Sequence, residues 1–142
     1  MKIQVLYLDK LRFKSEKILA DTFLERIQGS AKKLIDPIIT KQITIKEMDQ
    51  ELDKSNLNVL LDEKGKYLNS VEFADFIFNT SHKKISFFIG STLGFSDKAK
   101  EKAGLLLSIS PMTLTHSFAT IILLEQIYRA TTIKMNHPYH KI

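Results

Sequence analysis

The residues with the most chemistry to offer stand near the end of the chain: Asn136-His137-Pro138-Tyr139-His140-Lys141-Ile142, with Arg129 shortly before them. Two imidazoles, a phenol and a guanidinium can move protons, stabilise an anion or stack on an aromatic ring. A terminal tail ordinarily frays into unused polar residues, so this concentration points to a group of side chains that closes over an active site. His137 and His140 also suggest a metal, but the chain contains no cysteine and no clear carboxylate partner lies beside them, which disfavours zinc. Recognition of a base or phosphate, with Tyr139 stacking and the imidazoles hydrogen-bonding, uses the same residues more economically.

Arg129 belongs to a helical stretch capped by Thr115 or Ser117. Phe118, Ala119, Ile121, Ile122, Leu123, Leu124, Ile127, Tyr128 and Ala130 surround it, leaving a narrow polar line of Glu125, Gln126 and Arg129. A helix apolar nearly all round is buried on more than one side. One side against its own sheet and another against a second subunit makes a homodimer with this helix at the interface. Glu125 and Arg129 have the spacing of an intrahelical ion pair; an arginine aimed at phosphate or at a developing anion competes with that reading, and the nearby tail favours the second. His116, at the helix start, either makes a core hydrogen bond or faces a ligand loop. His82, beside Lys83 and Lys84, reads as a solvated residue at a helix end.

These groups need a scaffold, and the preceding chain alternates. Lys2 to Leu8 reads as a strand, and Ser15 caps a helix with Ile18, Leu19, Phe23 and Ile27 at helical spacing. Leu34 to Thr40 is a second strand, confined by Asp36-Pro37 to an edge or a broken start. Thr44 and Glu47 have capping-box spacing for a helix to about Asp53, and Asn69 and Glu72 for another with Phe73, Phe76 and Ile77 inward. Asn58 to Leu61 and Ile85 to Ile89 read as strands buried on both faces. The first ends in a turn at Asp62-Glu63-Lys64-Gly65; the second runs into Gly90-Ser91-Thr92-Leu93-Gly94, after which Ser96 or Asp97 starts a charged helix. Alternation of this kind gives an α/β fold with a mainly parallel sheet flanked by helices, and ligands bind at the carboxyl ends of such strands. Leu61-Asp62, the Gly90 to Gly94 loop and the segment Leu105 to Thr115 are therefore the candidate binding loops.

Gly90 and Gly94 fit neither the dinucleotide fingerprint nor a P-loop; a tight turn requiring positive φ explains them as well as a site does. Ser108-Ile109-Ser110-Pro111-Met112-Thr113-Leu114-Thr115 is small, hydroxylic and uncharged. A loop of that kind offers backbone groups to a neutral heterocycle, which suits an adenine better than a phosphate.

Composition sets the outer limits. The 142 residues, 44% hydrophobic with 5 Gly and 3 Pro, are enough for one domain spanning residues 1–142, with a real core. The absence of cysteine and of a signal peptide or bilayer-length apolar run leads us to expect a soluble, cytoplasmic protein with no membrane association. A net charge of +5 and pI near 9.3 suit a polyanion such as RNA, and equally a merely basic soluble protein.

Several of these segments together resemble one family. Leu123-x-Glu125-Gln126-Ile127-Tyr128-Arg129-Ala130, the terminal Asn136-His137-Pro138-Tyr139-His140, Phe88-Ile89-Gly90 to Gly94-Phe95-Ser96, and Leu107-Ser108 through Met112-Thr113-Leu114 to His116 are similar in order and spacing to the ribosomal RNA large-subunit methyltransferase H family, in the SPOUT class. The likeness is sharp over residues 87 to 142 and faint before them. It implies a C-terminal trefoil knot, S-adenosylmethionine bound in the knot, a homodimer, and methylation of N3 of a pseudouridine in helix 69 of large-subunit rRNA on assembled ribosomes. By position, the cofactor-binding residues are Leu61, Asp62, Gly90, Ser91, Gly94, Ser110, Pro111, Met112, Thr113, Leu114 and Thr115. The substrate side comprises His116, Arg129, His137, Tyr139 and His140, with Arg129, His137, Tyr139 and His140 as the catalytic candidates. The sequence departs from the family's Gly-Gly-Pro-Glu-Gly in the first loop, where it has Gly90-Ser91-Thr92-Leu93-Gly94, and Thr115 replaces a proline often found before His116. Two rival readings keep the fold but change the role: another RNA target, or a ribosome-binding module without catalysis.

Overall fold

A computed structural model describes residues 1–54 and 56–141. Its centre is a five-stranded parallel sheet in the order β2-β1-β4-β3-β5, formed by Lys2–Tyr7 (β1), Ile38–Gln42 (β2), Leu57–Tyr67 (β3), Lys84–Ile89 (β4) and Leu105–Ser108 (β5). Helices Lys14–Ser30 (α1), Ile45–Leu52 (α2), Ser70–Asn79 (α3) and Asp97–Glu101 (α4) join successive strands, and His116–Lys134 (α5) follows the last. Side chains alternate across a strand, so Phe87 enters the core beneath α1, α3 and α5, with Ile3, Val59, Ile77, Leu124 and Ile127. Its neighbour Phe88 enters the smaller core under α2 and α4, with Leu6, Met48, Leu52, Leu60 and Ala99.

Local signals account for most element ends. Thr44 Oγ1 accepts the Glu47 amide at 3.1 Å while Glu47 returns a bond to the Thr44 amide at 3.2 Å. Asn69 and Glu72 make the same reciprocal pair, each bond at 2.8 Å. Pro37 lies just ahead of β2, which takes the sheet edge as the proline requires.

Four expectations change. Helix α1 begins two residues earlier than a Ser15 cap allows: Phe13 is its N-cap, and Glu16 accepts the Phe13 amide at 3.1 Å. Ile18 and Leu19 are 58% and 44% exposed, because α1 turns Ala20 and Ile27 inward instead. Strand β2 starts at Ile38, since the Leu34 and Ile35 amides bond back to the Ala31 carbonyl in a turn after α1. Residues 62–65 are not the end of β3, which continues to Tyr67.

That last difference has a specific geometry. Leu107 in β5 pairs with Leu61 and again with Lys66 of the same β3 strand. Between those two pairings the chain passes so close to β5 that a Cβ on Gly65 would lie 2.5 Å from the Leu106 carbonyl oxygen and 2.9 Å from the Leu107 nitrogen. Only a residue without a side chain permits that approach. Gly65→Ala should therefore destabilise the protein by about 2 kcal/mol, measured as a shift of the denaturant midpoint at unchanged slope.

Candidate active site

Two polar regions stand out, and α5 joins them. The first lies at the carboxyl edge of the sheet. Gly94 adopts φ of +73°, and its amide donates to the Ser91 carbonyl at 2.9 Å, closing the 90–94 loop with Leu93 almost wholly exposed at its tip. The turn is thus held by Gly94 and by Ser91, whose Oγ accepts the Leu93 amide at 3.3 Å. The Phe95 ring covers Gly90, 3.3 Å from where a Cβ would stand. Asp62 accepts the Lys64 amide at 2.9 Å and faces the Lys100 ammonium at 3.3 Å. The Lys64 hydrogen bond chiefly, with help from Lys100 and against the effect of burial, holds its carboxyl below the usual carboxylate range.

The segment from Ile109 to Thr115 is held by its own hydroxyls. Ser108 donates to the Ser110 carbonyl at 3.0 Å, Ser110 Oγ accepts the Met112 amide at 3.0 Å, and Thr113 donates to Glu63 at 2.9 Å. Thr115 is the cap of α5, accepting the Phe118 amide at 3.2 Å. Pro111, Met112, Thr113 and Thr115 are exposed, while Ser110 and Leu114 are half-buried. Among the described residues the Thr113 and Leu114 amides have no hydrogen-bond partner. Uncharged donors beside apolar surface fit the edge of a neutral heterocycle better than a phosphate. His116 stands next to this loop with Nδ1 3.8 Å from the Asp9 carboxylate.

The second region gathers around Glu125. Its Oε1 accepts from Arg129 Nε and Nη2 at 3.0 and 2.6 Å and from the Tyr139 hydroxyl at 3.0 Å. Its Oε2 accepts from Gln126 at 2.6 Å, and Gln126 in turn accepts from Ser70 of α3 at 2.7 Å. The Arg129 guanidinium lies over the Tyr139 ring at 4.7 Å, and Tyr139 meets Tyr128 edge-on at 4.8 Å. Arg26 from α1 stacks on Tyr128 from 5.7 Å. Arg129 Nη1 contacts His140 Nδ1 at 3.2 Å; a guanidinium only donates, so the imidazole accepts at Nδ1 and carries its proton on Nε2.

The tail reaches this cluster because α5 stops sharply. Asn136 takes φ of 55°, a left-handed conformation that asparagine tolerates, and the His137 amide bonds back to the Thr132 carbonyl at 2.9 Å. The chain then reverses along the helix. His137 Nδ1 accepts the Tyr139 amide at 3.1 Å, and the ring itself is exposed. Burial first, and then the bond to Glu125, raise the Tyr139 pKa, so the phenol stays neutral. The Glu125 hydrogen bond raises that of Arg129, whose charge is permanent.

The structure thus brings Arg129, Tyr139 and His140 together, and Leu61, Asp62, the Gly90 to Gly94 loop and Ser110 to His116 at the sheet edge. It does not bring the two sets together within one chain. His116 and Arg129 ride on the same helix, about 20 Å apart at 1.5 Å per residue. Glu125 is the site residue that sequence reasoning undervalued: its spacing from Arg129 showed the ion pair, but only the fold shows the same oxygen anchoring Tyr139. Glu125→Gln should cost about 1–2 kcal/mol of stability and speed amide exchange across residues 137–141. Unchanged exchange there would show that the stop at Asn136 alone holds the tail.

Comparison with known proteins agrees with this architecture. Residues 1–140 match the family model described as "Predicted SPOUT methyltransferase". A protein of Trichlorobacter lovleyi named ribosomal RNA large subunit methyltransferase H is 36% identical, covering 99% of each chain. One of that name from Prochlorococcus marinus is 42% identical over 78% of this chain and 80% of its own. Among solved structures, a probable methylase family protein from Haemophilus influenzae superposes with a TM-score of 0.63 at 12% identity, over 99% of this chain and 70% of that one, a likeness of fold. By the extent of these matches, the chain belongs to the SPOUT methyltransferases, in the ribosomal RNA large subunit methyltransferase H family.

Proposed function

We propose that this protein transfers a methyl group from S-adenosylmethionine to large-subunit rRNA in assembled ribosomes, at N3 of a pseudouridine in helix 69, acting in the cytoplasm. The working unit is a homodimer of chains that each form one domain over residues 1–142, with the cofactor loops in a trefoil knot. The observation that carries the reading is the cluster of Arg129, Tyr139 and His140 in a chain of this family: a fixed cation, a stacking ring and N–H donors, assembled around a carboxylate already saturated by them. The knot draws support from the double pairing of Leu107 with Leu61 and Lys66, and from the passage of Gly65 over the Leu106–Leu107 peptide.

The separation of the two regions along α5 supports a shared site. If one subunit's tail serves the other subunit's loops, a rigid helix across a two-fold axis brings the two halves together. Phe118 on α5 is 54% exposed and Ile122, one turn on, is half-buried, an apolar stripe of the kind that a second subunit covers.

When bound, S-adenosylmethionine supplies a methyl group already activated by its sulfonium. The chain's own residues bind, align and stabilise charge. The Thr113 and Leu114 amides and the hydroxylic loop hold the adenine, while the Gly90 turn and Leu61 line its neighbourhood. Tyr139, kept neutral, stacks on the target ring. Arg129 faces the imide and favours its N3 anion once the proton has left to water. His137 and His140 use Nδ1 as an acceptor within the tail, so each presents an Nε2 proton outward and donates to the developing charge; neither takes the proton in this arrangement.

Tyr139→Ala should lower the transfer of labelled methyl groups to assembled ribosomes on the order of 100-fold while leaving S-adenosylmethionine affinity by calorimetry within about twofold. Unchanged turnover would overturn the assignment of the tail.

A further inference from the structure

A second feature lies outside the methyl-transfer machinery, at the opposite edge of the sheet from the cofactor loops. There the N-terminal ends of β1 and β4 and the end of α5 border a groove of about 590 Å³ whose lining includes Lys2, Asp36, Thr80, His82, Lys83 and Lys134. We propose that this groove seats the phosphate backbone of RNA flanking the methylated nucleotide; the inference rests on the rRNA reading above and adds a surface to it.

Charge carries the first step. Lys2, His82, Lys83 and Lys134 are exposed and face a single lining carboxylate, Asp36. Among the described residues none of the three lysines forms a salt bridge. The Lys2 amide donates to the Lys83 carbonyl at 3.0 Å, and the register partner of Lys2 in β4 is Lys84. Like charges placed opposite one another on a sheet are destabilising. Lys84 has the Glu51 carboxylate of α2 acting on it. Lys134 complements the helix dipole at the end of α5, but no such local reason accounts for Lys2 and Lys83 at strand ends. A polyanion laid in the groove would relieve all three.

Position carries the second. Lys134 is five residues beyond Arg129 on α5, about 8 Å along the axis and about 140° around it, so the groove lies at the end of the helix that carries the tail, on another face from Arg129. Ser81 adds a hydroxyl donor to its wall, as backbone-binding surfaces do, while the Thr80 hydroxyl is held by the His82 amide and ring at 3.2 Å. Its apolar members, Met1, Leu34 and Phe78, are half-buried and offer a membrane no anchor.

The test compares the full-length protein with a triple variant, Lys2→Gln, Lys83→Gln and Lys134→Gln, and with a control of equal charge loss, Lys14→Gln, Lys46→Gln and Lys98→Gln. Anisotropy with a fluorescein-labelled RNA hairpin, across a salt titration, should show the groove variant about tenfold weaker near 0.1 M salt and its log–log salt slope reduced by about 2. Its KM for assembled ribosomes should rise with kcat little changed, and its cofactor affinity should be that of the parent. A groove variant indistinguishable from the control would overturn the groove while leaving methyl transfer to rRNA standing. A parent protein that neither binds the hairpin nor methylates ribosomes would overturn both. Binding of anionic phospholipid vesicles that is lost in the groove variant, with RNA binding unaltered, would overturn the RNA assignment.

Discussion

One rigid helix sets the terms for everything else. Helix α5 is 19 residues long and buried along most of its length against α1, α3 and the sheet. It starts at the Ser110 to Thr115 loop and carries the cluster of Glu125 and Arg129 with Tyr139 near its other end. A packed helix neither bends nor shortens to bring its ends together. The distance between the two regions is therefore a property of the fold.

The two regions also differ in how their polarity is held. At the sheet edge the donors are backbone amides and hydroxyls, fixed by short local bonds such as Ser108 to Ser110 and Ser110 to Met112. In the tail the order comes from charge. One oxygen of Glu125 gathers Arg129 and Tyr139, and aromatic stacking through Tyr128 to Arg26 ties the group to α1. Charge-assisted bonds of this kind orient side chains more firmly than neutral ones. The arrangement leaves Arg129 cationic and Tyr139 protonated, the states in which one attracts an anion and the other stacks without charge.

Much of this was legible in the sequence where the cause is local. Capping boxes at Thr44 and Asn69, the apolar runs of β3 and β4, and the Thr115 cap of α5 depend on residues a few positions apart. The failures involve partners distant in sequence. Nothing near Gly65 says that Leu106 will pass within contact distance, so a Gly-containing polar stretch reads as a turn when it is a strand crossing another. Ile18 and Leu19 have helical spacing, yet which stripe of α1 faces inward is decided by α5, about a hundred residues later in the chain. The tail was conspicuous from its residue types; its anchor was not, because Glu125 satisfies an ordinary intrahelical pattern with Arg129. Composition left the Gly90 to Gly94 loop ambiguous between a turn and a site, and only the family resemblance favours the site.

The shared site can be tested directly by mixing two inactive chains. One carries Gly90→Val, which crowds the Phe95 ring and disables the cofactor loops while keeping its tail; the other carries Tyr139→Ala and keeps its loops. After unfolding and refolding together in equal amounts, half of the dimers are mixed and each of those contains one complete site if tails serve the partner's loops. Methyl transfer to assembled ribosomes should then recover to about one quarter of the parent's. No recovery, in a mixture shown to contain heterodimers, would mean that each tail works with its own chain's loops, and would contradict the shared site.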